Sequence, residues 1–168
     1  ALHDLGPTPA EPAPDGLTVA QLFLHSDIDG QLHHSGQGDT GGIATLLVHL
    51  GDALLRQQPH VGRVITISSG SPDPAHFPLG RGQSLLDGRG PASGLLAAGH
   101  HYARVPLSGA PVAASRAWPA RVATRRGIRR ILRAAGRVDA IHLRMADVGS
   151  MAAAEVALQL GIGVVLTV

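Results

Sequence analysis

Gly36-Gln37-Gly38-Asp39-Thr40-Gly41-Gly42 sets four glycines among polar residues. It stands between an apolar run, Leu17 to Leu24, and a helical pattern, Ile43 to Arg56. A strand that feeds a glycine-rich turn at the mouth of a helix forms an anion cradle. The first N–H groups of the helix have no partner within it, and its dipole favours negative charge there. Glycine, having no Cβ, lets a phosphate come close to the backbone. Many strand-to-helix connections are glycine-rich, so the weight lies on the strand before and the helix after.

Leu17 to Leu24 carries β-branched and aromatic members and reads as a central strand buried on both faces. Thr40 is placed to cap a helix whose Ile43, Leu46, Leu47, Leu50 and Leu54 recur at helical spacing. Further strands are expected at Arg63–Ser68, His100–Leu107, Asp139–Arg144 and Gly163–Val168. Helices are expected from Trp118 and Pro119 to about Ala135, and from Gly149 to Leu160. Strands alternating with helices predict a Rossmann-like parallel sheet with helices on both faces. Ala1 to Gly16, with four prolines, reads as a flexible lead-in to one domain over 17–168. Ser69 to Gly99 is long and punctuated by proline and glycine, as expected of a functional or mobile insertion.

The 168 residues are 44% apolar, enough for the core of one α/β domain. No run of about 18 apolar residues is present, and the first residues lack a basic and apolar leader, so the expected protein is soluble and cytoplasmic with no integral membrane segment. All 14 basic residues are arginine and the formal net charge is only +2, so bulk electrostatics predict no nucleic-acid partner. Zero cysteines exclude disulfides, thiolate metal sites and a cysteine nucleophile.

Four blocks carry a family resemblance: Leu24-His25-Ser26, Gly38-Asp39-Thr40-Gly41-Gly42, Arg104-Val-Pro-Leu with Ala117-Trp118-Pro119, and Asp139-Ala-Ile-His-Leu-Arg-Met-Ala-Asp147-Val-Gly149. In this order they resemble the N-terminal domain of retaining family-4 glycosyltransferases of the sucrose-phosphate synthase and sucrose synthase branch. The resemblance implies the N-terminal, acceptor-side half of a two-domain GT-B fold. The second, nucleotide-binding domain lies outside this chain, together with the family's catalytic histidine and nucleotide-holding glutamates, so no catalytic residue is assigned.

The resemblance implies transfer of a hexosyl unit, glucosyl by expectation, from a nucleoside diphosphate sugar to a sugar or sugar-phosphate acceptor with retention. No metal and no cofactor beyond the donor substrate are implied. The donor side would fall on Asp39, Thr40, Gly41 and Gly42, and the acceptor side on His25, Arg104, Arg144 and Asp147. Arg144 and Met145 stand where the family has histidine and tyrosine, Ile43 where it has glutamine, and its phosphate-gripping lysines are absent. A non-catalytic nucleotide- or anion-binding module is the alternative. A dinucleotide-dependent dehydrogenase fits poorly, because the glycine register is wrong and Ser68-Ser69 replaces the acidic ribose-binding residue.

Two other groupings are read as structural. His33 and His34 with Asp27 and Asp29 match no standard zinc spacing and read as a solvated loop. Arg125, Arg129 and Arg133, with Arg126 and Arg130 beside them, form a basic helix face that reads as solvated rather than as a contact with a membrane, a nucleic acid or a phosphorylated substrate.

Overall fold

Alternating apolar residues on buried strands need a helix layer on each side, and the computed structural model shows that arrangement. It describes residues 15–33, 41–70, 83–85, 95–107 and 114–168. In chain order the elements are β1 (Leu17–Phe23), α1 (Gly41–Gln57), β2 (Val61–Gly70), β3 (Gln83–Leu85), β4 (Gly99–Pro106), α2 (Arg121–Ala134), β5 (Ala140–Arg144), α3 (Val148–Gln159) and β6 (Gly163–Thr167). The strands form one six-stranded sheet in the order β3-β4-β2-β1-β5-β6, and every pairing is parallel.

The chain begins in the middle of the sheet, winds outward through β2 to β4, then crosses back to β5 on the other side of β1. That is a doubly wound, Rossmann-like topology, and its reversal point lies between β1 and β5. One face of the sheet, with Ala20, Leu22, Ile65, Ile67 and Leu143, packs under Ile128 and Ile131 of α2 and Val156 of α3. Phe23 and Tyr102, on the opposite face, meet Ala44, Leu47 and Val48 of α1. The period-2 alternation along β1 therefore sorts its side chains between two helix layers.

Polar residues also hold the layers. Under α1, Gln21 Nε2 donates to the Leu47 carbonyl at 2.6 Å and to Thr66 Oγ1 at 2.7 Å. Thr66 Oγ1 lies 2.7 Å from His100 Nε2, and His100 Nδ1 lies 2.8 Å from Asp52 Oδ1. Gly51 makes room for this ring, since a Cβ there would stand 2.4 Å from His100 Cε1. At the amino edge of the sheet the fully buried Arg63 donates to Thr18 Oγ1 and to the carbonyls of Leu95 and Arg137. Three acceptors from separate segments satisfy a guanidinium that water cannot reach.

The expected strands and helices are present, with ends shifted by one or two residues, the ordinary uncertainty of element boundaries. Two details differ. A sixth strand, β3, lies inside the stretch read as an insertion, and Trp118–Ala120 forms a separate 3-10 turn ahead of α2. Pro119 accounts for the second difference: it suits a first turn, where no N–H is required. Most of the lead-in and most of Ser69–Gly99 fall outside the described residues.

Candidate functional site

β1 ends at Phe23 and β5 at Arg144, neighbouring strands on either side of the topological reversal. His25 follows the first strand and Asp147 follows the second, and the two side chains meet with His25 Nε2 2.5 Å from Asp147 Oδ2. Asp147 is the N-cap of α3, extended at φ −123° and ψ −179°, and its Oδ1 accepts from the Ser150 amide at 2.6 Å. One carboxylate thus caps a helix and fixes a histidine. Leu24 packs against the bare backbone of Gly149 in the first turn of α3, where a Cβ would stand 2.9 Å from Leu24 Cδ1.

Burial alone would raise the pKa of Asp147, but the His25 ring and the Ser150 amide together hold it below its ordinary value. An ionised carboxylate only accepts, so the proton between the two groups belongs to His25 Nε2. The pair is largely enclosed, with side chains 14% and 6% exposed.

Met145, between Arg144 and Asp147, has φ +87°. A positive φ is uncommon for a residue with a side chain, and such conformations cluster where a site requires them. Its amide donates to the Thr167 carbonyl at 3.0 Å, which ties the turn to β6. Arg144 donates to Thr167 Oγ1 at 3.2 Å, and His142 Nε2 lies 2.8 Å from the same oxygen. Burial, assisted by Arg144, lowers the pKa of His142.

Arg104 has a different setting. Only 1% exposed, it donates from Nε to Asp27 Oδ1 at 2.7 Å. The segment around Asp27 lies across the strand tips: the Ser69 amide donates to the Ser26 carbonyl, and the Ile28 amide to Ser68 Oγ. Asp29 collects the amides of Gln31 and His33 as well as the His33 ring. Burial opposes its ionisation, yet these donors hold its pKa below the ordinary value. The aspartates weighed for a metal are thus engaged in an ion pair and a local turn, and no group of three or more potential metal ligands occurs among the described residues.

Of the residues singled out in the sequence, His25 and Asp147 are brought together, and Arg144 joins the same edge three residues away. Arg104 sits at the end of β4, with β2 and β1 between it and β5. Three strand spacings separate the two arginines, roughly 14 Å. Gly41 and Gly42 open α1, and a Cβ on Gly42 would meet nothing within 4 Å. Asp39 and Thr40 lie outside the described residues, as does His34. The Asp27–Arg104 pair and the Asp52–His100–Thr66 network went unnoticed in the sequence. The Asp147 cap was readable, since an aspartate at the mouth of an apolar helix is a start signal.

No family model matches this chain, and no curated protein matches it. Among solved structures, the chain is similar to two crystal structures of the C-terminal domain of a hydrogenase from Pyrococcus furiosus. One spans that protein's residues 78–226, at 11% identity and a TM-score of 0.45, covering 94% of this chain and 97% of that one. The other spans residues 83–215, at 12% identity and a TM-score of 0.46, covering 96% and 100%.

Proposed function

We propose that this chain is the acceptor-side half of a retaining nucleotide-sugar glycosyltransferase, similar to sucrose-phosphate synthase. The observation that carries this reading is the His25–Asp147 pair at the reversal point, where ligands of open α/β sheets collect. Two of the four sequence blocks that resemble the family contain these residues, His25 in Leu24-His25-Ser26 and Asp147 in the block from Asp139 to Gly149.

In this reading Asp147 orients the His25 ring toward an acceptor sugar, and Arg144 supplies a guanidinium suited to a hydroxyl or phosphate. Arg104 contributes by locking the 26–29 segment through Asp27 rather than by gripping the acceptor itself. On the donor side, the amides at Gly41 and Gly42, which open α1, are assigned to the donor diphosphate, together with Asp39 and Thr40, which lie outside the described residues. The bond from the sugar's anomeric carbon to the diphosphate breaks, a bond from that carbon to the acceptor oxygen forms, and the hydroxyl proton leaves with the departing diphosphate. Amide dipoles aimed at the growing negative charge serve the transition state more than the ground state.

The test is turnover of UDP-glucose and ADP-glucose against fructose and fructose 6-phosphate by the polypeptide that carries this chain. Consumption of one donor with formation of a disaccharide supports the transferase. Binding of a nucleoside diphosphate without turnover would favour the non-catalytic module instead.

A further inference from the structure

We propose that the outer face of α2 and α3 is a docking surface for an anionic lipid bilayer. This inference does not rest on the transferase reading.

Both helices pack side by side on the same face of the sheet, so their outer sides form one layer. On α2, Arg121 and Arg125 pair with Glu155 of α3, and Arg129 donates to Gln159. Arg126, Arg130 and Arg133 are exposed, and their side chains make no hydrogen bond or ion pair with the described residues. Their spacing places them on one side of the helix, together with Val122 and in line with Trp118 just ahead of it. Trp118 is 61% exposed and Leu158 on α3 is 73% exposed, with Val122 and Met151 also open. Single exposed apolar residues are ordinary; four of them interleaved with arginines on one layer are not.

Charge segregation points the same way. The chain carries +2 overall, yet α2 holds six arginines and no acid, so the remaining residues sum to −4. A molecule polarised in this way turns α2 toward a negative surface. A nucleic acid would reward the arginines but leave the tryptophan, valine, methionine and leucine in water. A bilayer with anionic headgroups rewards both: guanidinium groups reach the phosphates while the apolar side chains enter the headgroup boundary, with tryptophan at the level it prefers. Trp118 stacked near Arg121, 5.5 Å from ring centroid to guanidinium carbon, is already arranged as such an interfacial pair.

The experiment uses the full chain and phosphatidylcholine vesicles with and without phosphatidylglycerol. Trp118 is the only tryptophan, so its emission reports this face directly. The expected result is a blue shift and co-sedimentation with anionic vesicles only, both weakened by added salt. The triple variant R126Q/R130Q/R133Q should bind anionic vesicles on the order of 100-fold more weakly. Leu158→Ser, a change at an exposed side chain, should weaken binding about tenfold without disturbing the fold. No sedimentation with anionic vesicles, equal binding to neutral ones, a shift produced by duplex DNA instead, or full binding by both variants would overturn the proposal.

Discussion

His25 Nε2 lies 2.5 Å from Asp147 Oδ2 while the other oxygen of the same carboxylate caps α3 through the Ser150 amide. The two duties separate by substitution. Asparagine caps a helix about as well as aspartate, so Asp147→Asn keeps the cap and loses only the charge that the His25 ring and the Ser150 amide favour, whereas Asp147→Ala loses the cap as well, about 1 kcal/mol more. Because the folded carboxyl titrates below its ordinary 3.8, its contribution is full above that value and disappears as acid protonates the folded form. Urea unfolding across the acid range checks this: the Asp147→Asn protein lacks that acid limb. In the polypeptide able to turn over, Asp147→Asn should lower transfer at neutral pH where the protein is still fully folded, its urea midpoint falling only by the lost charge. A loss confined to stability would reduce the residue to a cap.

Gly42 permits a cleaner separation. It is exposed in the first turn of α1 and a Cβ there meets nothing within 4 Å. Valine is a somewhat better helix former than glycine, so Gly42→Val should leave the melting temperature unchanged or slightly higher. Its branched side chain stands where a diphosphate would approach, and transfer should be abolished. Wild-type turnover in a well-folded Gly42→Val protein sinks the donor-loop assignment.

The fold was largely legible because its signals are local. The apolar run at Leu17–Leu24 and the helical recurrence from Ile43 to Leu54 each span enough residues for a period to show. β3 offers only Gln83–Leu85, too short for any period, and it becomes a strand only by pairing with β4. The site was half legible. His25 and Asp147 stood out through family-like blocks, but their contact spans 122 positions, and nothing local in either segment announces it. Arg104 illustrates the opposite case. Its place at a strand end suggested a ligand contact, while its actual partner, Asp27, lies 77 positions away, where only the folded chain brings it near.

That buried pair has its own consequence. Arg104 and Asp27 are both nearly excluded from water, and an ion pair in that setting is costly to halve. Arg104→Met should destabilise by roughly 3–5 kcal/mol, since it takes the guanidinium away from a buried carboxylate. Adding Asp27→Asn should recover part of the loss, because the neutral amide is cheaper to bury. A double-mutant cycle by urea denaturation measures the coupling. A small loss for Arg104→Met, with no recovery in the double variant, would mean that the pair does not hold the 26–29 segment over the strand tips.

His100 should make the protein sensitive to mild acid. Its ring is buried between α1 and the sheet, and burial lowers its pKa below the ordinary 6.5, with Asp52 opposing that shift and His101 adding to it. In the neutral ring Nδ1–H donates to Asp52, and Nε2 accepts from the Thr66 hydroxyl, whose oxygen accepts from Gln21. Protonation would turn Nε2 into a donor and force Thr66 to re-aim its hydrogen. The unfolded chain takes up a proton near 6.5 and the folded chain resists, so stability is full at neutral pH and falls as pH drops from 6.5 to the folded value. His142 contributes with the same sign, burial again being the larger cause. Unfolding free energy measured by urea from neutral to mildly acid pH should therefore decline. The decline should flatten in His100→Gln, and extend to lower pH in Asp52→Asn, which removes the charge that holds the ring's affinity up. An unchanged slope in His100→Gln would assign the acid sensitivity to other groups and leave the network under α1 a purely geometric support.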